Sequence, residues 1–339
     1  MKMTIRGVAA LATLCVTGVA ASAQVGPDYY RGKTFEILVG YETGGGYDIY
    51  ARALSRHIGR HLPGNPTTVV KNMPGAVSRQ AGNHIYNIAP KDGTVIATIA
   101  RGLPTDELLG APGIRFESQK LTWIGSMNNE VSVGVAWHTS PVKTLEEATQ
   151  REMIVGGIAD SLMFAKLMNS VLDTKFKIIA GYRSGGEVSL AMERGELHGR
   201  MGWSWSSIVS GNPEWLRENK IVNMVQFSTT KHVDLPNVPL VTEFARNDDD
   251  RALLELVFSR QVIGRPFIAP PGLSPEVTAM LRKAFDDTMR DPAFLAEMQK
   301  AKLEVNAVSG EETQALVARL FKTPPAVVER AKEILPVEK

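Results

Sequence analysis

Short apolar runs alternate along this chain with amphipathic stretches of helical period, and that alternation admits few folds. Residues 35–39, 67–71, 94–100, 121–125 and 131–137 read as strands, with helices over 49–61 and 80–88 between them. After Pro141 a second cycle begins, with helices over 144–150, 161–172 and 187–194 and strands over 153–156, 176–180, 198–203 and 223–228. The pattern predicts an α/β fold with largely parallel sheet.

The remainder holds one strand over 261–269, then helices over 275–290, 292–301, 310–321 and 324–334, the first opened by Ser274 as N-cap with Pro275 behind it. No third sheet is left for that tail to join. The economical arrangement returns it to the first unit, giving a discontinuous lobe (24–128 and 245–339), a continuous lobe (129–244), two crossings and a cleft that hinges. A chain of 339 residues exceeds the size at which one core stops growing, which agrees with two lobes.

Lys2 and Arg6 precede a small, apolar stretch over 7–20 that ends in Ala21-Ser22-Ala23, so residues 1–23 read as an export signal and Gln24 as the mature N-terminus. The one cysteine, Cys15, leaves with it, and the mature protein has no thiol for a nucleophile or metal. Net charge is +2 with 22% charged residues and no Lys/Arg run, which excludes a nucleic-acid patch. The acidic run Asp248-Asp249-Asp250 reads as a solvated loop, and a monomer is expected.

The most informative segment joins the first strand to its helix. It reads Gly40-Tyr41-Glu42-Thr43-Gly44-Gly45-Gly46-Tyr47-Asp48. Consecutive glycines let backbone N–H groups approach a ligand, and the helix start adds unsatisfied N–H groups and the positive end of its dipole. Such a turn suits an anion or a polar carbonyl; equally, it serves as a structural turn with Asp48 as cap. It completes neither a dinucleotide fingerprint nor a P-loop, so no cofactor is implied. In the second unit, Gly157-Ile158-Ala159-Asp160-Ser161 and Gly181-Tyr182-Arg183-Ser184-Gly185-Gly186 again join strand to helix. Arg101 and Arg183, one per lobe in loops after strands, are the natural partners for a carboxylate. Tyr41, Tyr47, Trp203 and Trp205 are candidates for an aromatic wall or for core packing, and Trp203 and Trp205, alternating in a strand, would share a side. His57 and His61 have helical metal-ligand spacing but no third ligand nearby, and read as a solvated face; no metal site and no catalytic residue are assigned.

The order Gly44-Gly45-Gly46-x-Asp48, Asn72-x-Pro74-Gly75-Ala76, Ala89-Pro90-Lys91-Asp92-Gly93-Thr94, Gly181-Tyr182-x-Ser184-Gly185-Gly186, Leu235-Pro236-Asn237-Val238-Pro239 and Phe267-Ile268-Ala269-Pro270-Pro271-Gly272 resembles the solute receptors of tripartite tricarboxylate transporters, the Bug family. The resemblance covers nearly the whole mature chain. It implies a periplasmic-binding-protein fold of type II-like form, two sheets flanked by helices with a ligand cleft between. It also implies capture of a small organic acid by residues 44–48 and 157–161, and delivery to membrane permease subunits. Tyr41-Glu42 replaces the family's usual Pro-Phe, and Asp160 replaces a usual Ser/Thr. Both bring carboxylates near the anion site, so either Arg101 and Arg183 offset them or the ligand is an amide, a zwitterion or a hydroxylated aromatic acid. A sensor subunit for a membrane signalling protein is the alternative role, and a secreted enzyme the third; His198, in a cleft strand, has no evident partner for catalysis.

Overall fold

The structure is a computed structural model and describes residues 25–157, 159–182 and 185–335; the side chains of Ala159, Asp160 and Ser210 also lie outside the description. The expected signal, Cys15 and Gln24 fall outside the described residues. The chain lays down β1 (Thr34–Val39), β2 (Thr67–Asn72), β3 (Val95–Thr98) and β4 (Thr122–Ser126). It continues with β5 (Ser132–Trp137), β6 (Met153–Gly156), β7 (Phe176–Ile179), β8 (Gly199–Ser204) and β9 (Ile221–Phe227), then β10 (Pro266–Ala269) and β11 (Val308–Ser309). The helices are α1 (Gly46–Ile58), α2 (Arg79–Asn87), α3 (Leu103–Leu108), α4 (Leu145–Gln150), α5 (Ala159–Leu172), α6 (Gly185–Glu193), α7 (Trp205–Gly211), α8 (Pro213–Arg217), α9 (Asp248–Val262), α10 (Pro275–Arg290), α11 (Pro292–Lys300), α12 (Gly310–Leu320) and α13 (Pro325–Ile334).

The strands form two sheets, β11-β4-β10-β3-β1-β2 and β7-β6-β8-β5-β9, in the two-sheet, helix-flanked α/β architecture expected. Neither sheet is largely parallel. The β1–β2, β1–β3, β6–β7 and β6–β8 pairs are parallel, whereas β10 runs antiparallel to β3 and β4, and β5 to β8 and β9. Each sheet takes in a strand that arrives directly from the other unit, so no crossover helix forces it parallel. The two crossings at 127–131 and 261–265 hydrogen-bond to one another: Met127 N–H donates to Arg265 (3.1 Å), Glu130 N–H to Gln261 (2.9 Å) and Gly264 N–H to Asn128 (3.0 Å).

The tail differs from the expected single block. Leu254, Val257 and Phe258 of α9 and Val327, Val328 and Ala331 of α13 share a core with Val155, Phe164 and Phe227 of the second unit, with Phe258 stacked 5.2 Å from Phe227. Val317 of α12 still packs in the core of the first sheet, so the chain crosses a third time before α13. The Asp248–Asp250 run is no solvated loop: it forms the first turn of α9, where acids complement the helix dipole, capped by the Asn247 side chain. Asp250 is buried and paired with Arg246 (3.0 Å) and Arg330 (2.8 Å). Nor are His57 and His61 a solvated face. Their Nε2 atoms lie 2.7 Å from Glu297 and 2.9 Å from Asp291, fastening the end of α1 to α11. Trp205 leaves the strand of Trp203 and opens α7, where its Nε1 donates to Asp234 (3.2 Å).

Candidate functional site

The glycine turn between β1 and α1 is braced by its own residues. Gly44 adopts φ +84°, a left-handed conformation open to glycine, and its N–H donates to Asp48 Oδ2 at 2.8 Å. Asp48 also accepts from Arg52 Nε (2.8 Å) and Asn72 Nδ2 (2.9 Å), and is 1% exposed. The Arg52 hydrogen bond leads in pulling its pKa down to about 2, against the cost of burial. Asp48 is therefore a brace occupied by protein donors, neither an N-cap nor a bare charge in a cleft. Thr43 Oγ1 donates to Asn72 (3.2 Å), and Tyr41 stacks on Tyr47 at 4.4 Å. Gly45 is the N-cap of α1, and a Cβ on Gly46 would lie 3.2 Å from Arg265 Nη2, whose guanidinium covers the rings of Tyr47 (4.8 Å) and Tyr50 (5.3 Å). Residues 42–46 are exposed.

Arg101 follows β3 and meets this turn: its N–H donates to the Tyr47 hydroxyl at 3.1 Å. Burial pushes the pKa of its guanidinium down, Tyr47 and Glu130 pull it back, and Arg260 and Arg265 add to the depression. Among the described residues no carboxylate lies within ion-pair distance of Arg101.

In the second unit, Gly157 is needed for close approach, since a Cβ there would lie 2.3 Å from Ser161 Oγ. Ile158 and Arg183 lie outside the described residues; Ala159 and Asp160 begin α5, with side chains outside them. Tyr182 is half-buried against Gly156, and burial raises its pKa. On β8, Arg200 is 6% exposed, with its guanidinium 4.8 Å over the Trp203 ring and its Nε without a hydrogen-bond partner. Burial lowers its pKa to about 10, which leaves it charged at neutral pH. It too has no carboxylate partner among the described residues.

Arg101 and the second unit line an open cavity of about 820 Å³, walled also by Ser132, Ser161, Arg200, Trp203 and Ser204. Of the residues expected at the site, Arg101, Ser161 and Trp203 are brought together there. Tyr47 touches Arg101, and Gly44, Gly45 and Gly46 belong to the adjoining turn rather than to the cavity wall. Arg200 and Ser204 escaped the sequence reading. An irregularity in β8 hid them: Trp203 pairs with Val133 and Arg200 with Val135, so the two share a face although three positions apart, and with Gly202 and Ser204 they line the cavity. Among the described residues no cluster of His, Cys, Asp and Glu could hold a metal, and no helix is long and apolar enough to cross a membrane.

Comparison with known proteins agrees with the two-sheet α/β fold. The model of the tripartite tricarboxylate transporter family receptor matches residues 51–332. A Cupriavidus necator protein described as "UPF0065 protein in gbd 5'region" is 23% identical over 337 residues, 96% of this chain and 95% of its own. A TctC solute binding protein from Polaromonas superposes with a TM-score of 0.70 at 20% identity, over 88% of this chain and 98% of its own. MatC from Rhodopseudomonas palustris, solved with bound malate, superposes with a TM-score of 0.55 at 18% identity, over 90% and 99%.

Proposed function

The chain belongs to the tripartite tricarboxylate transporter receptor family, and on that premise we propose that it is a periplasmic receptor, exported by residues 1–23, that closes two lobes on a small organic acid and delivers it to the membrane permease subunits of such a transporter. One observation carries the reading: two guanidinium groups, Arg101 and Arg200, face one cavity between the lobes with no carboxylate paired to either among the described residues. Guanidinium pairs a carboxylate in bidentate fashion, and in a poorly hydrated cleft such a pair is strong. The malate held by MatC supports the same chemistry.

In this proposal Arg101, Ser161 and Trp203 contact the acid, and the exposed glycine turn meets it as the lobes close. Residues 25–128 with β10, β11 and α10–α12 form the first lobe. Residues 129–244 with α9 and α13 form the second. A receptor of this kind needs no catalytic group. Calorimetry of mature protein against malate and related small acids tests it. Arg101→Ala should weaken the best of them by ~30-fold or more, because truncating one partner of a buried charge pair costs ~2–5 kcal/mol. Failure of every acid to bind, or equal binding by the variant, would contradict the reading.

A further inference from the structure

Arg200 poses an electrostatic problem that no carboxylate among the described residues solves. A Cβ at Gly185 would lie 3.1 Å from its Nη1, so the guanidinium abuts the first residue of α6, a nine-residue helix. That end of the helix carries unsatisfied N–H groups and positive partial charge. A buried cation is thus pressed against another positive feature, and its guanidinium lies over the Trp203 ring at 4.8 Å. The acids of α6 do not relieve it. Among the described residues neither Glu187 nor Glu193 is ion-paired with Arg200, and Glu193 stands eight residues on, about 12 Å along the axis. Cation, helix start and cavity together make a built site for an anion.

Resting on the receptor reading above, we propose that Arg200 is a specificity-determining ligand contact: a second anionic group of the solute seats between the Arg200 guanidinium and the N–H groups of Gly185 and Gly186, while the first is held at Arg101. The receptor then selects acids charged at both ends over amides of the same shape. Replacing the distal carboxylate by an amide leaves a buried cation without its counter-charge, the kind of mismatch that sites discriminate against most strongly. Trp203 fixes the guanidinium plane, so the fork geometry matters as well as the charge.

The test is calorimetry with succinate and its monoamide, succinamate, on wild type, Arg200→Gln and Arg200→Lys, with thermal melts to show that each variant folds. Wild type should prefer succinate by about 30-fold or more. Arg200→Gln should lose that preference while binding succinamate within threefold of wild type, and Arg200→Lys should recover part of it. Succinate binding within threefold of wild type in Arg200→Gln overturns the proposal and leaves the receptor reading standing. Should neither probe bind wild type, bromide-soaked crystals decide. An anomalous peak beside Arg200 and Gly185 upholds the anion site and sets aside organic-acid binding, and its absence overturns the site.

Discussion

Each unit sets a guanidinium against a glycine at the start of a helix, and the two arrangements are finished differently. In the first, Gly46 meets Arg265, which is stacked over Tyr47 and Tyr50, and the turn before it is tied by Asp48 to Gly44, Arg52 and Asn72. In the second, Gly185 meets Arg200, buried with one aromatic face and no acid among the described residues. Asp48 braces the first turn without reaching Arg265, whose Nη1 donates to the Gly264 carbonyl at 2.8 Å; among the described residues neither Arg265 nor Arg200 has a carboxylate partner. A helix start with glycines is thus not by itself a ligand site; what distinguishes the two is that Arg200 lines the cavity and Arg265 does not.

The largest expected effect lies on the turn braced by Asp48. Asp48→Ala strands the Gly44 N–H and the Asn72 amide and unpairs Arg52, which should cost about 3 kcal/mol in urea unfolding. A loss under about 1 kcal/mol would show that the brace is dispensable. The same carboxylate is held down at about 2 from its usual 3.8, so its stabilisation is complete above 3.8 and is lost as pH falls from there through 2. Asp48→Asn should flatten that part of the acid-stability profile.

A smaller effect sharpens the other side. Gly185→Ala places a methyl 3.1 Å from Arg200 Nη1 and should move the guanidinium by a few tenths of an ångström. Binding of a dicarboxylate should fall several-fold, while stability changes by no more than about 1 kcal/mol. Unchanged binding would mean that the helix start is not part of the anion site.

The smallest concerns a contact between the units, His232 Nε2 to Glu304 Oε1 at 3.2 Å. The Glu304 hydrogen bond raises the His232 pKa above 6.5 despite burial. Its stabilisation is therefore fully present below pH 6.5 and is lost as pH rises through the folded value. Wild type should lose under about 1 kcal/mol across that interval, and His232→Gln should lose none of it.

Much of this was legible in the sequence, for physical reasons that also explain the gaps. Alternating periods two and 3.6 revealed both units, and Arg101 was found because a loop after a strand opens on the cleft. Helix α9 was missed because Asp250 and Gln261 are buried with Leu253, Leu254, Leu256, Val257 and Phe258, so its polar and apolar faces are poorly separated. The antiparallel partners depend on pairing between distant segments, as when Phe267 meets Thr98, and no local pattern encodes that. Asp48 looked like a cap because its partner Asn72 reaches it only once β2 lies beside β1, although Arg52, four residues on in α1, was within local reach. Arg200 sat between Gly199 and Met201 and read as one polar interruption of a strand; its burial appears only when β8 lies central in its sheet.

The cleft, through Arg101 and Arg200, should bind organic anions. Thermal melts of wild type, Asp48→Asn and the Arg101→Ala/Arg200→Gln double variant, each with and without a panel of small organic acids, test it most directly. At about 100 times its dissociation constant, a bound acid adds roughly 2.7 kcal/mol of stability, a rise of several degrees for a chain of this size. At least one acid should produce that rise in wild type and in Asp48→Asn, and none in the double variant. A rise of equal size in the double variant, or none in wild type with any acid, would contradict the claim.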